Sequence, residues 1–207
     1  MRYGLIADVY ERIGATTKRL EMTDYLVDLF RQTPSGLIDK VVYLTQGKIY
    51  PDFVGIEIGV ADKLAIRAMG LATGQPTERI EEDYKKTGDL GKTAEGFLEK
   101  KAQAALFRKP LTVEEAYESL ERMAKTTGAG SIDQKLRLLS GLLADATPRE
   151  AKYLVRTVTG NRRLGIGDMS VLDALAIAYT GDKANRPILE RAYNMSSDLG
   201  AVAKTVA

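Results

Sequence analysis

The stretch TPREAKYLVRTVTG, residues 147–160, decides the fold class of this chain. Thr147 and Glu150 have the spacing of a capping box, in which each side chain binds the backbone N–H of the other residue, and Pro148 suits the first helical position. Gly160 is typical of the residue that follows a helix, because glycine adopts a left-handed backbone without strain. The stretch therefore predicts a short helix with a defined start and a defined end.

The same start and stop signals recur along the chain. Thr112–Glu115 predicts a second capping box and Ser170–Asp173 a third, and the acidic residues that follow Thr77 predict another helix start. Phe53–Ile58 alternates like a strand, but Gly55 interrupts the run. We predict an all-α protein of about a dozen short helices without a substantial sheet. Further helix ends are predicted at Gly47, Gly74, Gly88, Gly128 and Gly181.

The composition excludes several kinds of function. The 207 residues include no cysteine, histidine or tryptophan, so zinc–thiolate sites, disulfides and histidine-dependent nucleophilic sites are impossible. No metal-ligand pattern stands out. Thirty Lys and Arg against 28 Asp and Glu leave a net charge of +2, so an electrostatic binding surface requires local clustering. No apolar run suits a signal peptide or a membrane helix, which predicts a cytoplasmic, intracellular protein without a membrane partner.

An internal repeat divides the sequence into two similar halves. Glu11-Arg12-Ile13 returns as Glu121-Arg122-Met123, 110 positions later, and other pairs follow in the same order. We predict two helical halves, roughly residues 1–100 and 111–207, that are related by a pseudo-two-fold axis and joined by a basic connector. Chance similarity between alanine- and leucine-rich helices is the alternative. The other matching pairs are Thr16-Thr17 with Thr126-Thr127, Tyr43-Leu44 with Tyr153-Leu154, and Val60–Ile66 with Val171–Ile177.

Two glycine-containing turns lead into predicted helices, GAGS at residues 128–131 and GATTKR at residues 14–19. Such a turn presents unpaired backbone N–H groups and the positive end of the helix dipole, which suits an anion. An ordinary helix start without a ligand is the alternative. The predicted anion-binding residues of the two turns are Thr17, Arg19, Gly128, Gly130, Ser131 and Lys135.

The segment GNRRLGIG, residues 160–167, places Arg162 and Arg163 among glycines. Arginine forks match phosphate oxygens, and Gly165 and Gly167 let the backbone approach a ligand closely. The segment is neither a Walker A loop nor a dinucleotide-binding fingerprint. It predicts a phosphate-binding loop, with a solvated loop as the alternative.

A second glycine-bracketed turn, TGDLGK at residues 87–92, lies in a basic segment whose net charge is +4 between residues 85 and 109. Gly88, Gly91 and Lys92 are further candidate phosphate contacts. A surface linker between the two halves is the alternative.

These motifs carry a resemblance to a known family. TGDLG at 87–91, GAGS at 128–131, and YLVRTVTG at 153–160 followed by RLGIG at 163–167 resemble the N-terminal DNA-binding domain of ATP-dependent DNA ligases, most closely the archaeal type. The resemblance implies that residues 1–207 form one all-helical domain of two similar halves, which binds the minor-groove side of nicked duplex DNA. Arg163 matches the arginine of the family's loop, whereas Arg162 replaces an apolar residue.

The resemblance also implies which parts of a ligase lie elsewhere. The family's catalytic Lys-x-Asp-Gly motif does not occur here, and the nucleotidyltransferase and OB-fold domains that normally follow are absent. We therefore expect a piece cut at a domain boundary that is not itself an enzyme. It would bind duplex DNA and the ligase's own other domains in replication, repair and recombination at the nucleoid. No cofactor is expected in this fragment, whereas ATP and magnesium are implied for the full-length ligase. A small enzyme with a lysine nucleophile is a rival interpretation.

A short segment among lysines, Gln103–Phe107, predicts either an exposed anchor for a partner or a pair of core residues. Archaeal ligases are similar in carrying a sliding-clamp docking motif, Gln-x-x-aromatic-Phe. Gln103 and Phe107 match this motif, and Leu106 replaces its aromatic residue. The resemblance thus implies a sliding clamp (PCNA) as a partner, and a helical module that docks a clamp is the alternative function.

Overall fold

The computed structural model describes residues 1–102, 109–161 and 164–207. These residues contain α-helices, short 3-10 turns and a single isolated bridge between Arg2 and Thr112, with no β-strand among them, which confirms the predicted all-α class. The helices are α1 (Tyr3–Gly14), α2 (Arg19–Gln32), α3 (Ile38–Gln46), α4 (Asp62–Thr73), α5 (Thr77–Thr87), α6 (Leu90–Ala102), α7 (Val113–Lys125), α8 (Ser131–Asp145), α9 (Pro148–Val158), α10 (Asp168–Thr180), α11 (Arg186–Ser196) and α12 (Leu199–Val206).

Two of the three predicted capping boxes are present. Thr112 and Thr147 accept hydrogen bonds from the backbone N–H groups of Glu115 and Glu150, and the two glutamates accept from the threonine N–H groups in return. The third prediction is wrong. Helix α10 begins two residues before Ser170, because the Gly167 carbonyl already accepts the N–H groups of Ser170 and Val171.

The predicted helix ends are confirmed where glycine follows the last turn directly. Gly47, Gly74, Gly88 and Gly181 cap α3, α4, α5 and α10 in the left-handed conformation. Helix α7 ends earlier than predicted, at Lys125, and Gly128 belongs to the turn that follows it.

The chain divides into two compact units, and each takes helices from both sequence halves. Unit 1 comprises Met1, residues 5–56 and residues 163–207, and unit 2 comprises residues 2–4 and 57–162. Unit 1 therefore joins α1–α3 to α10–α12, whereas unit 2 joins α4–α6 to α7–α9. The bounds of the units thus differ from those of the sequence halves.

The two units share one packing scheme. In unit 1, α2 packs against α10 and α3 against α12. In unit 2, α8 packs against α4 and α9 against α6. If the six helices of the first half are matched in order to the six of the second, these are the same pairs. This correspondence supports a duplicated sequence, while the pseudo-two-fold axis stays a prediction.

The register of the repeat needs one correction. Asp62 is the first residue of α4 and Asp168 is the first residue of α10, so the two helices correspond at a spacing of 106 positions. The sequence match that paired Asp62 with Asp173 at 111 positions is wrong, because alanine- and leucine-rich segments resemble each other in several registers. Asp173 instead binds Lys183 and Arg186 at distances of 2.8 and 3.3 Å.

Each unit has its own apolar core, and packing of these cores stabilises helices that are too short to persist alone. In the described part of the chain, none of the helices has the length and apolar character that a membrane crossing requires. Buried core residues include Phe30, Ile38, Leu44, Leu172 and Leu199 in unit 1, and Ile66, Met69, Leu120, Leu139 and Leu154 in unit 2.

Two fragments of similar length test this division of the chain. We expect residues 57–162 alone to unfold cooperatively in urea, because they hold nearly all of unit 2. Residues 1–100 should lack a cooperative transition, because α10 and α12, the packing partners of α2 and α3, lie beyond residue 100. Circular dichroism during urea titration makes the comparison. A sharp transition in residues 1–100 would show that a sequence half folds by itself.

Candidate nucleic-acid interface

Two helix N-termini lie side by side in unit 2. The Lys135 ammonium, in the second turn of α8, donates a hydrogen bond of 2.8 Å to the carbonyl of Ile58, which shortly precedes α4. A Cβ atom built on Gly59 would lie only 3.1 Å from the same ammonium nitrogen. Lys135 therefore holds the turn before α4 against the beginning of α8, in addition to its predicted role as a phosphate contact.

Unpaired backbone donors are exposed at this corner of unit 2. Within the described residues, the N–H groups of Ile132 and Asp133 in α8, and of Asp62 and Lys63 in α4, have no acceptor. The predicted turn before α8 leads into the helix through glycines at φ values of 84° and 79°. Unpaired N–H groups and the positive ends of two helix dipoles make the corner a suitable place for an anion.

Unit 1 contains a second pair of helices that run in the same direction. The Tyr179 hydroxyl near the end of α10 donates to the carbonyl of Phe30 near the end of α2, at 2.9 Å, and Arg31 donates to Ile177 at 3.4 Å. Because their C-terminal ends meet, α2 and α10 both begin on the opposite side of the unit. The predicted residues Thr17, Arg19, Gly165 and Gly167 are exposed at these two beginnings.

The beginning of α2 combines unpaired amides with cations. The N–H groups of Leu20 and Glu21 have no acceptor in the described part of the chain. The Glu21 carboxylate accepts hydrogen bonds from Lys18 at 2.8 Å and from the Thr16 hydroxyl at 2.7 Å, and these bonds lower the pKa of Glu21. Arg19 is exposed in the first helical turn. A cation there opposes the helix dipole, which disfavours the helix but favours an anionic ligand.

Carboxylates at the beginnings of α4 and α10 are also held by hydrogen-bond donors. The Tyr84 hydroxyl donates to Asp62 at 3.0 Å, and the Tyr193 hydroxyl donates to Asp168 at 2.7 Å. Burial, together with the hydrogen bond to Asp168, raises the pKa of Tyr193 to about 12. Tyr193 consequently stays protonated, and remains a donor, throughout the neutral pH range.

Gln46 binds the same carboxylate from a third helix. Its side-chain nitrogen donates to Asp168 at 2.8 Å, and the residue is only 4% exposed. Its Oε1 atom is buried without a hydrogen-bond partner in the described residues. A buried polar atom without a partner costs about 1–3 kcal/mol. The orientation that lets Nε2 bind Asp168 therefore carries the cost of an unpaired Oε1 atom.

The turn at residues 87–92 differs from the beginnings of α2, α4, α8 and α10. Two of its backbone N–H groups already donate to the carboxylate of Asp89. Asp89 accepts the N–H groups of Gly91 and Lys92 at 2.9 and 3.3 Å, and the Arg156 guanidinium binds the same carboxylate at 2.6 Å. Burial opposes ionisation of Asp89, but the bonds and charge of Arg156, with the two backbone donors, keep its pKa below the usual value. Gly88 and the Lys92 side chain are exposed.

Gly91 therefore has a structural role that differs from its predicted one. It was predicted to bring the backbone close to a phosphate, but it is buried and its N–H is used by Asp89. A Cβ atom at this position would lie 2.7 Å from the carbonyl oxygen of Lys152 in α9. Glycine is required here for the close approach of α6 and α9, and we remove Gly91 from the candidate interface.

Residues 150–167 have a net charge of +3 in the sequence, but two of their four basic residues are internal. Arg156 is buried against Asp89, and Lys152 is buried with its ammonium 3.2 Å from Glu95. A count of charges along the sequence therefore overstates the positive surface of this segment.

The sequence analysis did not recognise a tripeptide repeat that lies at two helix contacts, the contact of α6 with α9 and the contact of α12 with α3. Asp89-Leu90-Gly91 returns as Asp198-Leu199-Gly200, 109 positions later. Asp198 accepts the N–H of Ala201 at 2.9 Å and the Tyr43 hydroxyl at 2.6 Å, and a Cβ atom on Gly200 would lie 2.7 Å from that hydroxyl oxygen. The repeated Asp-Leu-Gly tripeptide was the available signal that α6 and α12 are equivalent capped helices.

Some predicted site residues cannot be placed. Arg162, Arg163, Gln103, Leu106 and Phe107 lie outside the described residues, so their roles stay predictions. Among the described residues, no group of three or more Asp and Glu side chains is arranged to hold a metal ion.

Comparison with known proteins identifies the family. The family profile described as DNA ligase N terminus matches residues 2–176. The chain belongs to the DNA ligase N-terminal family. This confirms the resemblance drawn from the glycine-containing motifs. The profile ends within α10, so α11 and α12 lie beyond the matched region.

Similar full-length relatives in this family are archaeal DNA ligases. The DNA ligase of Nitrosopumilus maritimus is 50% identical over the whole chain, and DNA ligase 2 of Korarchaeum cryptofilum is 52% identical over 98% of it. The DNA ligase of Acidianus ambivalens is 48% identical over the whole chain. The chain covers 35%, 34% and 36% of these three proteins, so it spans about a third of the relatives' length.

Substitution of the two glycines of α6 separates packing from helix propensity. Gly91→Ala should destabilise the protein by about 1–3 kcal/mol, because the new methyl group meets the backbone of α9. Gly96→Ala is the matched control, since a Cβ atom there has no neighbour within 4 Å and alanine favours the helix by up to about 1 kcal/mol. Urea unfolding measures both variants. Equal stability of the two would contradict the packing role of Gly91.

The buried pair of Asp89 and Arg156 predicts a pH-dependent contribution to stability. Asp89→Asn should cost about 3–5 kcal/mol at pH 7, because the buried Arg156 guanidinium loses its ion pair with the Asp89 carboxylate. Because the pKa of Asp89 is lowered in the folded protein, its contribution is complete above the pKa of an unfolded carboxyl group, about 3.9, and is lost as the pH falls further. The free energies of unfolding of wild type and variant, measured at pH 7, 5 and 3, should therefore differ at pH 7 and 5 and approach each other only at pH 3.

Proposed function

We propose that this chain is the DNA-binding domain of a DNA ligase. It would bind the phosphate backbone of nicked duplex DNA, independently of base sequence. One observation carries the proposal. Each unit has two neighbouring helix beginnings with unpaired backbone N–H groups, and their first-turn carboxylates at α2, α4 and α10 are bound by hydrogen-bond donors. Family membership supports DNA as the anionic ligand.

The chemistry of these corners suits phosphate oxygens. Backbone N–H groups at a helix beginning are fixed donors that cost no side-chain entropy, and the helix dipole adds positive potential. Contacts of this kind position a protein on DNA but carry no information about the base sequence. Duplex DNA offers two phosphate backbones, and the duplicated sequence supplies one such corner in each unit.

Nearby side chains extend the binding surface. In unit 1 these side chains are Thr17 and Arg19, and in unit 2 they are Ser131 and Lys135, which follow the glycine turn. Gly165 and Gly167, before α10, contribute backbone that phosphate can approach closely. Arg162 and Arg163 are predicted to add charged contacts, and Gly88 and Lys92 lie on the surface of the basic segment.

The proposed role fits a larger enzyme. We infer that the complete protein is an ATP-dependent ligase in which nucleotidyltransferase and OB-fold domains carry out the magnesium-dependent chemistry while this region holds the DNA. The relatives in Nitrosopumilus maritimus and Korarchaeum cryptofilum are DNA ligases, which supports this inference. Docking of a sliding clamp at Gln103–Phe107 is proposed from the resemblance alone.

Equilibrium binding at several salt concentrations tests the proposal. Fluorescence anisotropy would compare nicked duplex, intact duplex and single-stranded DNA of the same length. If about five phosphates are neutralised, the logarithm of the affinity should fall with the logarithm of salt concentration at a slope of roughly −4 to −5. Affinity for a sliding clamp without measurable affinity for DNA would favour the alternative function. Covalent labelling of the chain by ATP would instead favour the lysine-dependent enzyme.

A charge-removal pair tests the position of the interface. Arg19→Ala should weaken binding to all duplex sequences alike and reduce the salt slope by about one, because one cation near phosphate is lost. Lys204→Ala is the control, because Lys204 is 59% exposed at the C-terminal end of α12, where the helix dipole disfavours anions. Equal losses in the two variants would mean that only overall charge matters and would remove the α2 corner from the interface.

A further inference from the structure

The two units contain the same tyrosine–aspartate hydrogen bond at the same place in the fold. In unit 2, Tyr84 of α5 donates to Asp62, the first residue of α4, at 3.0 Å. In unit 1, Tyr193 of α11 donates to Asp168, the first residue of α10, at 2.7 Å. The two tyrosines are 109 positions apart, which is also the spacing of the repeated Asp-Leu-Gly tripeptides.

A carboxylate in this position interferes with an anion unless it is held in place. The next N–H groups along α4 and α10, those of Lys63 and Met169, have no acceptor within the described residues. An unrestrained aspartate can turn back and accept such N–H groups, and its negative charge repels phosphate. Asp89, one position earlier relative to its helix, shows that an aspartate carboxylate in this molecule does accept such groups, since it binds the N–H groups at the beginning of α6.

A separate observation points to the same carboxylate. Gln46 is 4% exposed and donates to Asp168 at 2.8 Å, whereas its own Oε1 atom is buried without a partner in the described part of the chain. Asp168 thus receives two donors, one on each carboxylate oxygen, from α3 and α11. With both oxygens occupied, the carboxylate is directed toward these helices and away from its own helix amides.

We infer that Tyr84 and Tyr193 are positioning residues for DNA, because they hold Asp62 and Asp168 away from the amides that bind phosphate. This inference rests on the proposed function and deepens it. The tyrosines do not touch DNA themselves, and they act by keeping two helix beginnings available to the phosphate backbone.

The test measures binding of the whole chain to a nicked duplex by fluorescence anisotropy. Tyr193→Phe should weaken binding about three- to tenfold, because the Asp168 oxygen that loses its donor then competes with phosphate for the same amides, while Gln46 still binds the other oxygen. Tyr84→Phe should have a similar effect in unit 2. The double variant Tyr193→Phe with Asp168→Asn should regain wild-type affinity, because the amide side chain carries no charge. Asp168→Asn alone should bind no more weakly than wild type.

Tyr179→Phe is the matched control for loss of a tyrosine hydroxyl. Tyr179 also lies in unit 1 and donates to a backbone carbonyl at 2.9 Å, but it does so near the C-terminal end of α10. Its removal should leave DNA affinity unchanged. Tyr179→Phe and Tyr193→Phe each remove one hydrogen bond donated by a tyrosine hydroxyl, so their effects on stability should be similar. Thermal unfolding of all variants shows whether a loss of binding follows from a loss of stability.

The results separate this inference from the proposed function. If the wild-type chain does not bind duplex DNA, the proposed function fails. If the wild type binds and Tyr193→Phe binds equally well, only the positioning role is overturned. The role is also overturned if Asp168→Asn does not restore the affinity lost in Tyr193→Phe, because a purely structural defect would persist in the double variant.

Discussion

The first turn of every α-helix has backbone N–H groups that the helix cannot pair by itself, and this constraint governs the whole structure because the helices are short and numerous. The chain meets it in two ways. Thr112, Thr147, Asp89 and Asp198 each cap a helix with a side-chain oxygen that accepts one or two of these N–H groups. At α2, α4, α8 and α10 the amides stay unpaired within the described residues, and the chain keeps competing carboxylates occupied at three of these four helices.

The sequence contained enough information for the helices and for most of the candidate corners. Capping boxes and C-terminal glycines act locally, so their residues predict where a helix begins or ends whatever surrounds it. The turns GAGS and GATTKR were identifiable for the same reason. Ser170 was misleading because a serine with an aspartate three residues later also occurs inside helices, where a preceding glycine has already started the turn.

Tertiary packing determines which glycines and charged side chains are buried, and local sequence patterns do not show this. Gly91 and Gly165 look alike in sequence, yet one is buried against α9 and the other is exposed before α10. Arg156 and Lys152 count as surface charge until their partners Asp89 and Glu95, more than fifty residues away, are known. The tyrosine–aspartate bonds also join separate helices, so only the fold shows that the two pairs are equivalent.

The exchange of helices between the sequence halves has a consequence for biosynthesis. All of unit 2 has left the ribosome soon after residue 162 is translated, so its core can close while the chain is still growing. Helices α2 and α3 are made first but must wait for α10 and α12 at the other end of the chain. During that interval Phe30, Ile38 and Leu44 lack their final neighbours, and the nascent N-terminal segment is the part of the molecule that most needs protection from aggregation.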